Sequence, residues 1–166
     1  MRIGILSDTH GVLPNDIFRI FNGVEHIFHA GDIGELSIIK KLETISPVSA
    51  IYGNIDPWPI LSLYPNILIT EMEGVKIIMK HDILDIKAYS FELFKKRLQA
   101  DIVIHGHTHK PECTYYRNTY YINPGSVSKP RHGFNGSVVV LNLNSGDKTK
   151  IEPEFYEIKK AGTTGP

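Results

Sequence analysis

Five times in this chain an apolar run stops at an aspartate, a histidine or an asparagine, in most cases beside glycine. The fragments are Ser7-Asp8-Thr9-His10, His29-Ala30-Gly31-Asp32, Tyr52-Gly53-Asn54-Ile55-Asp56, Met79-Lys80-His81-Asp82 and the stretch from Asp101 to His109. The last is the richest. Ile102-Val103-Ile104 has the β-branched bias of a buried strand. It stops at Gly106, and two imidazoles follow at alternate positions, His107 and His109. A strand end that feeds His-x-His into a Gly-opened turn can aim both rings into one cavity, and imidazole is the commonest protein ligand for transition metals. One such fragment is compatible with a surface loop. Five of them describe a scaffold that brings several strand ends to one place.

Around these stops the pattern alternates. Ile3 to Leu6 reads as a buried strand, 15–22 as a helix introduced by Pro14 with Ile17, Phe18, Ile20 and Phe21 on its apolar face, and His26 to His29 as a second strand. Residues 35–42 repeat the helical spacing and Val48 to Tyr52 form a third strand. Strand and helix in alternation are the signature of parallel βαβ units, whose ligands collect outside the carboxyl ends of the strands. Asp8, His10, Asp32 and Asn54 stand at those ends. Asp56-Pro57-Trp58-Pro59 reads as an ordered loop, because proline fixes φ and removes a donor. Ile67–Glu71 and Val75–Lys80 flank Glu73-Gly74 as a hairpin, and Tyr89–Leu98 has helical spacing. The remainder is strand-rich, over 112–117, 119–123, 136–143 and 149–157. The sum is an α/β protein of two packed sheets with helices outside. Residues 1–160 are expected to form one domain, with 161–166 a flexible tail.

Composition narrows the function. A chain of 166 residues is long enough to bury a substantial core. Its formal net charge of zero argues against a grip on long nucleic acid, which needs a basic face. The single cysteine, Cys113, precludes an internal disulfide and fits a reducing, cytoplasmic setting. No run approaches the ~20 apolar residues of a membrane span, and the N-terminal apolar run is too short for a secretory signal.

The ligand-type residues make a mixed set. Asp8 and His10 are two apart, so on an extended strand end they would face the same side. Asp32 follows a glycine that lets the backbone bend close, and its two oxygens suit a bridge between cations. Asn54 offers a neutral oxygen, and His81, His107 and His109 complete the seven. Seven ligands exceed the four of a tetrahedral zinc. Shared around a bridging carboxylate, they suit two metals about 4 Å apart. Imidazole and carboxylate without thiolate favour manganese, iron, nickel or zinc over calcium.

The assembly resembles the calcineurin-like metallophosphoesterase superfamily. The matching motifs are Asp-x-His at 8–10, Gly-Asp at 31–32, Gly-Asn at 53–54, His81 and Gly-His-x-His at 106–109, in that order. Asn123-Pro124-Gly125-Ser126 is similar to a segment of the small YfcE-type phosphodiesterases, a branch made of the bare catalytic domain. The resemblance implies a four-layer α-β-β-α sandwich of two mixed sheets. It implies one metal on Asp8, His10, Asp32 and His109, and a second on Asp32, Asn54, His81 and His107. It further implies two divalent ions, manganese first, with nickel, zinc, iron or magnesium as alternatives. The expected activity is hydrolysis of a small phosphodiester by in-line attack of a metal-bridging hydroxide. His29, Asp56 and His105 are candidates for supporting the ligands.

The sequence also departs from that pattern. Ile55 stands where many members carry a histidine that protonates the leaving group, and His132, after Arg131, is a candidate replacement. Asp82-Ile83 replace the usual glycine and second histidine after His81. Gly34-Glu35 stand where protein phosphatases place an arginine. A phosphomonoesterase or nucleotidase using the same site, and a non-enzymatic scaffold like the retromer subunit of this fold, are the competing readings. Tyr115, Tyr116, Tyr120 and Tyr121 form an aromatic cluster of the kind that more often packs within a sheet, and they mark where a homodimer contact would be sought.

Overall fold

The computed structural model describes residues 1–144 and 151–159. The tail expected over 161–166 and the start of the strand expected at 149 lie outside the described residues. Chain order is β1 (Arg2–Leu6), α1 (Asp16–Ile20), β2 (His26–Ala30), α2 (Leu36–Leu42), β3 (Val48–Ile51), α3 (Trp58–Leu63), β4 (Ile67–Met72), β5 (Val75–Lys80), α4 (Ile86–Lys95), β6 (Ile102–Ile104), β7 (Pro111–Tyr116), β8 (Thr119–Pro124), β9 (Gly136–Asn142) and β10 (Glu154–Ile158). Two mixed five-stranded sheets result, ordered β10-β9-β1-β2-β3 and β4-β5-β6-β8-β7. In the first, β1, β2 and β3 run parallel and β9 is antiparallel to β1. In the second, β5, β6 and β8 run parallel, with antiparallel β4 and β7 at the edges.

Three apolar clusters separate four layers. Ile17, Phe21, Ile38, Leu42 and Ile60 from α1, α2, α3 and their ends pack on Leu6, Ile27, Val138 and Val140 of the first sheet. The opposite faces of β1 to β3 place Ile3, Ile5, Phe28 and Ile51 against Ile77, Met79, Ile102 and Ile104 of the second sheet. Tyr89 and Leu93 of α4 cover Ile78, Val103 and Tyr121 on its outer side. Strands β1, β2 and β6 are buried on both faces, which is why they read as unbroken apolar runs.

One expectation needs correction. Residues 56–59 are not simply a loop, because Trp58 opens α3, with Pro57 as its N-cap and proline in the first turn. The first N–H groups of a helix have no intrahelical acceptor, so proline costs nothing there and its φ is already helical. The tyrosine cluster is divided by strand alternation. Tyr121 is buried under α4, Tyr120 packs toward the inter-sheet core, and Tyr115 lies exposed with its ring 4.6 Å from that of Tyr120.

Candidate metal centre

All seven candidate ligands lie within a few residues of the carboxyl ends of parallel strands. Asp8 and His10 follow β1, Asp32 follows β2, Asn54 follows β3, His81 follows β5, and His107 and His109 follow β6. The backbone there is not extended, as the alternate spacing had implied. Asp8, His10, Asp32, His107 and His109 all adopt positive φ, between 46° and 67°. Non-glycine residues rarely do so, and each costs on the order of 1 kcal/mol or more unless the surroundings fix it, as they do at functional sites. Here neighbouring turns are laced together. Asp8 N donates to Gly31 O (3.0 Å), His10 N to Asp32 O (2.9 Å) and Gly106 N to His81 O (2.9 Å). Asp56, 6 % exposed, accepts from Gly34 N (2.7 Å) and Gly53 N (2.8 Å), which ties the turn after β2 to the turn after β3.

The ligand-type atoms of Asp8, His10, Asp32 and His109 all lie within 4.8 Å of one another. His109 Nε2 is 3.0 Å from Asp8 Oδ1 and 3.5 Å from His10 Nε2. Proton placement makes this contact informative. His109 Nδ1 donates to Lys129 O and His81 Nδ1 to Ala30 O, so each neutral ring turns a bare Nε2 inward. Asp8 Oδ1 and His81 Nε2 are buried without a hydrogen-bond partner among the described residues. Buried lone pairs that face one another without a donor are costly, and a divalent cation between them removes that cost. The donor set therefore fits a metal. Asp32 touches the second set through His81 Nε2, 3.4 Å from its Oδ2. That set continues as a chain. The His81 and His107 rings stand 5.4 Å apart, and His107 Nδ1 lies 2.9 Å from Asn54 Oδ1. It is the more open half, with Asn54 exposed and His107 41 % exposed.

Without a cation, a proton on His81 Nε2 takes its place against Asp32. Burial would push the Asp32 carboxyl up, but the hydrogen bond from that protonated ring, its charge, Ile55 N and His10 together hold it below the usual carboxylate range. His81 is raised in that metal-free state. Burial lowers it, and the Asp32 hydrogen bond with the charges of Asp8 and Asp32 outweighs that. His10 is lowered, chiefly by burial.

Among the described residues, no hydrogen bond joins His29 to a candidate ligand. Thr9 Oγ1 gives its only proton to Ile33 O, so His29 Nε2 must donate to Thr9, and His29 Nδ1 is left buried without a partner. Complete burial lowers His29 to about 3. Because this folded value lies below the unfolded ~6.5, the unfolded chain binds the extra proton first. The contribution is present above pH ~6.5 and is lost as pH falls toward 3, at roughly 1.4 kcal/mol per unit. Urea midpoints of the metal-free protein at pH 7, 6 and 5 should fall accordingly, and His29→Gln, which keeps the donor to Thr9, should flatten the trend. An unchanged slope in the variant would refute the assignment.

Comparison with known proteins now fixes the family. The family model for the calcineurin-like phosphoesterase superfamily domain matches residues 1–146. The chain belongs to this superfamily. A protein of Methanothermobacter thermautotrophicus described as a probable metallophosphoesterase is 33 % identical over 159 residues, 92 % of this chain and 91 % of that one. The phosphodiesterase YfcE of Escherichia coli K12 is 24 % identical over 168 residues, with 86 % and 88 % covered. A solved structure described as a novel archaeal phosphodiesterase superposes with a TM-score of 0.75 at 27 % identity, over 94 % of this chain and all of that one.

Within the superfamily frame, the Asn-Pro-Gly-Ser segment acquires a physical role that its motif alone did not disclose. Asn123, fully buried, donates to Gly106 O and Thr108 Oγ1 (both 2.9 Å) and accepts from Gly125 N (2.9 Å). Ser126 Oγ donates to Asp8 O (2.9 Å) and accepts from Lys129 N (2.9 Å), which presents the Lys129 carbonyl to His109. The segment thus clamps the turn after β6 to the turn after β1. Sequence reading picked out Ser126 only as part of that motif and gave neither it nor Lys129 a role, because one acts by a hydroxyl and the other by its backbone. Asn123→Ala leaves buried groups without partners and should cost about 2–3 kcal/mol, read as a lowered midpoint in chemical denaturation. A loss below about 0.5 kcal/mol would contradict the clamp.

The departures are placed as follows. Ile55 is half exposed and serves the site through its backbone, donating to Asp32 Oδ1 (3.1 Å). Asp82 Oδ1 accepts from Leu84 N (2.8 Å), and its Oδ2 stands 3.7 Å from His107 Nε2. His105 is buried, its Nδ1 faces Asn123 Nδ2 (3.4 Å), and burial lowers it to about 4. Arg131 and His132 are exposed, and among the described residues no hydrogen bond or ion pair joins either to a candidate ligand. No helix among the described residues is long and apolar enough to cross a membrane.

Proposed function

We propose that this chain is a divalent-metal-dependent phosphodiesterase that hydrolyses a small phosphodiester. The observation that carries the reading is the convergence of Asp8, His10, Asp32 and His109 within 4.8 Å, with bare buried lone pairs turned inward. Two divalent cations held by this set and by Asp32, Asn54, His81 and His107 would supply an ionised water for in-line attack and positive charge against the phosphoryl oxygens. The protein's part is to orient. The Ala30 and Lys129 carbonyls fix the His81 and His109 tautomers, and Asp56 and Asn123 hold the turns in register. Three nearby hydroxyls are committed elsewhere. Ser7, Thr9 and Ser126 each donate to a backbone carbonyl, which favours water over a protein nucleophile. Ile55 offers no proton to a leaving group, which favours esters whose leaving group is stable as an anion.

The test strips the protein of metal, restores Mn²⁺, Ni²⁺, Zn²⁺ or Mg²⁺ singly, and assays bis-(p-nitrophenyl) phosphate beside p-nitrophenyl phosphate. Metal-dependent diester cleavage is expected, reduced on the order of 10²-fold in Asn54→Ala and His107→Ala. Preference for the monoester would make the activity that of a phosphomonoesterase. A folded protein inactive with every metal would transfer the function to binding partners.

A further inference from the structure

Three lysines adjoin the candidate metal centre. Lys80 precedes His81, Lys110 follows His109, and Lys129 lends its carbonyl to His109. The first two ammonium groups are paired. Lys80 Nζ stands 3.9 Å from Glu92 and over the Tyr89 ring, and Lys110 Nζ is 3.1 Å from Glu112. The Lys129 side chain is exposed, and its ammonium has no ion-pair or hydrogen-bond partner among the described residues. Its main chain, by contrast, is stitched to the turn after β1. Val127 N donates to Ser7 O (3.1 Å), Ser126 Oγ and Ser128 Oγ to Asp8 O (2.9 and 3.4 Å), and Lys129 N to Ser126 Oγ (2.9 Å). Pro130 restricts the Lys129 backbone further. The side chain therefore starts from a fixed point beside Asp8 and His109. Its charge also reaches His10. Burial is the largest cause that lowers that ring, Asp32 and Asp8 oppose it, and the Lys129 ammonium adds to the lowering.

An unpaired ammonium beside a cation site repels the cations it adjoins. Its position becomes favourable once an anion joins them, and a phosphoryl group accepts lysine as a compact point charge. Resting on the proposed phosphodiester hydrolysis, we propose that the Lys129 ammonium binds a non-bridging phosphoryl oxygen of the ester, which makes Lys129 a substrate-binding residue of this site. The contact is electrostatic, and the ammonium keeps its protons throughout. Its effects on the two ligands then have opposite signs. The charge of Lys129 strengthens phosphate binding and opposes metal binding, whereas a residue that merely supported the centre would favour both.

Titration calorimetry of Mn²⁺-loaded protein with inorganic phosphate tests this. Lys129→Gln keeps the backbone contacts and removes the charge. It should raise the phosphate Kd about tenfold or more, with a matching fall in kcat/KM for bis-(p-nitrophenyl) phosphate. Mn²⁺ affinity measured without phosphate should be unchanged or higher. Lys129→Arg should restore most of the phosphate affinity. Arg131→Gln removes a charge from the same exposed segment and should raise the phosphate Kd less than about threefold. Wild-type protein that binds no phosphate at millimolar concentration, equal losses in Lys129→Gln and Arg131→Gln, or weaker Mn²⁺ binding in Lys129→Gln would each overturn the assignment. Diester turnover in the wild type with phosphate affinity unaltered in Lys129→Gln would overturn it too and leave the hydrolysis reading standing. Phosphate binding that depends on Lys129, without turnover of any ester, would fault the hydrolysis reading and leave the assignment of Lys129 standing.

Discussion

Replacing Asp32 by asparagine should lower Mn²⁺-supported cleavage of bis-(p-nitrophenyl) phosphate by roughly 10³-fold or more while the chain stays folded. Asp32 is the residue common to both proposed ligand sets. It lies within the close group with Asp8, His10 and His109, and its Oδ2 reaches His81 Nε2 at 3.4 Å. Asparagine keeps the shape, and its carbonyl can still accept from Ile55 N, as Asp32 Oδ1 does. It removes the negative charge, however, and places an amide donor against the bare lone pair of His81. Metal content should fall from the proposed two ions per chain to one or none, measured by elemental analysis after equilibrium dialysis. Circular dichroism and thermal unfolding of the metal-free variant should resemble those of the wild type. Full activity with two ions bound would remove Asp32 from the centre of the mechanism.

The second large effect is expected at Gly53, from sterics alone. A Cβ added there would lie 2.1 Å from Asp32 Oδ1, 2.4 Å from Asp32 N and 2.8 Å from Asp32 Cγ. One of these neighbours is backbone, so no rotamer change relieves the clash. Gly53→Ala should destabilise the protein by about 3 kcal/mol, lower Tm by roughly 6–12 °C for a chain of this length, and weaken metal binding by displacing Asp32. Gly74 provides the control. It sits in the β4–β5 hairpin at φ 73° with nothing within 4 Å of its added Cβ, so alanine there meets only the left-handed backbone cost, roughly 1–2 kcal/mol. Equal losses at both glycines would show that close approach to Asp32 is not the cause.

The layers and the candidate centre were legible in the sequence for a common reason. A strand buried on both faces must be apolar throughout, so a polar residue just past its end stands out, and Asp8, Asp32 and His107 stand out in that way after β1, β2 and β6. What stayed hidden depends on conformation or on main-chain atoms. The Asp8–His10 pairing was expected from an extended strand but comes from two left-handed residues. Helix α3 was concealed by prolines whose lost donors are the ones a first turn does not use. The Lys129 carbonyl carries no signal in its side chain at all. The division of the four tyrosines between buried and exposed faces also depended on pairing register, which spacing alone does not specify.

The position of β1 has a consequence for biosynthesis. Although it is made well before β9, it lies inside its sheet between β2 and β9, and Met1 N meets Leu143 O at 2.8 Å, 142 residues away. Ser126, which steadies Asp8, is likewise separated from it by 118 residues. During translation the early βαβ segment can form, but one edge of β1 and the carbonyl of Asp8 await chain that has not yet been made. Such long-range pairing is slow and leaves strand edges open in the interval. A ribosome-bound fragment ending just before β9 would therefore carry all seven candidate ligands without the strand pairing that closes the first sheet around them. The first sheet, and with it the support of Asp8 and His10, is complete only once the closing strand has emerged.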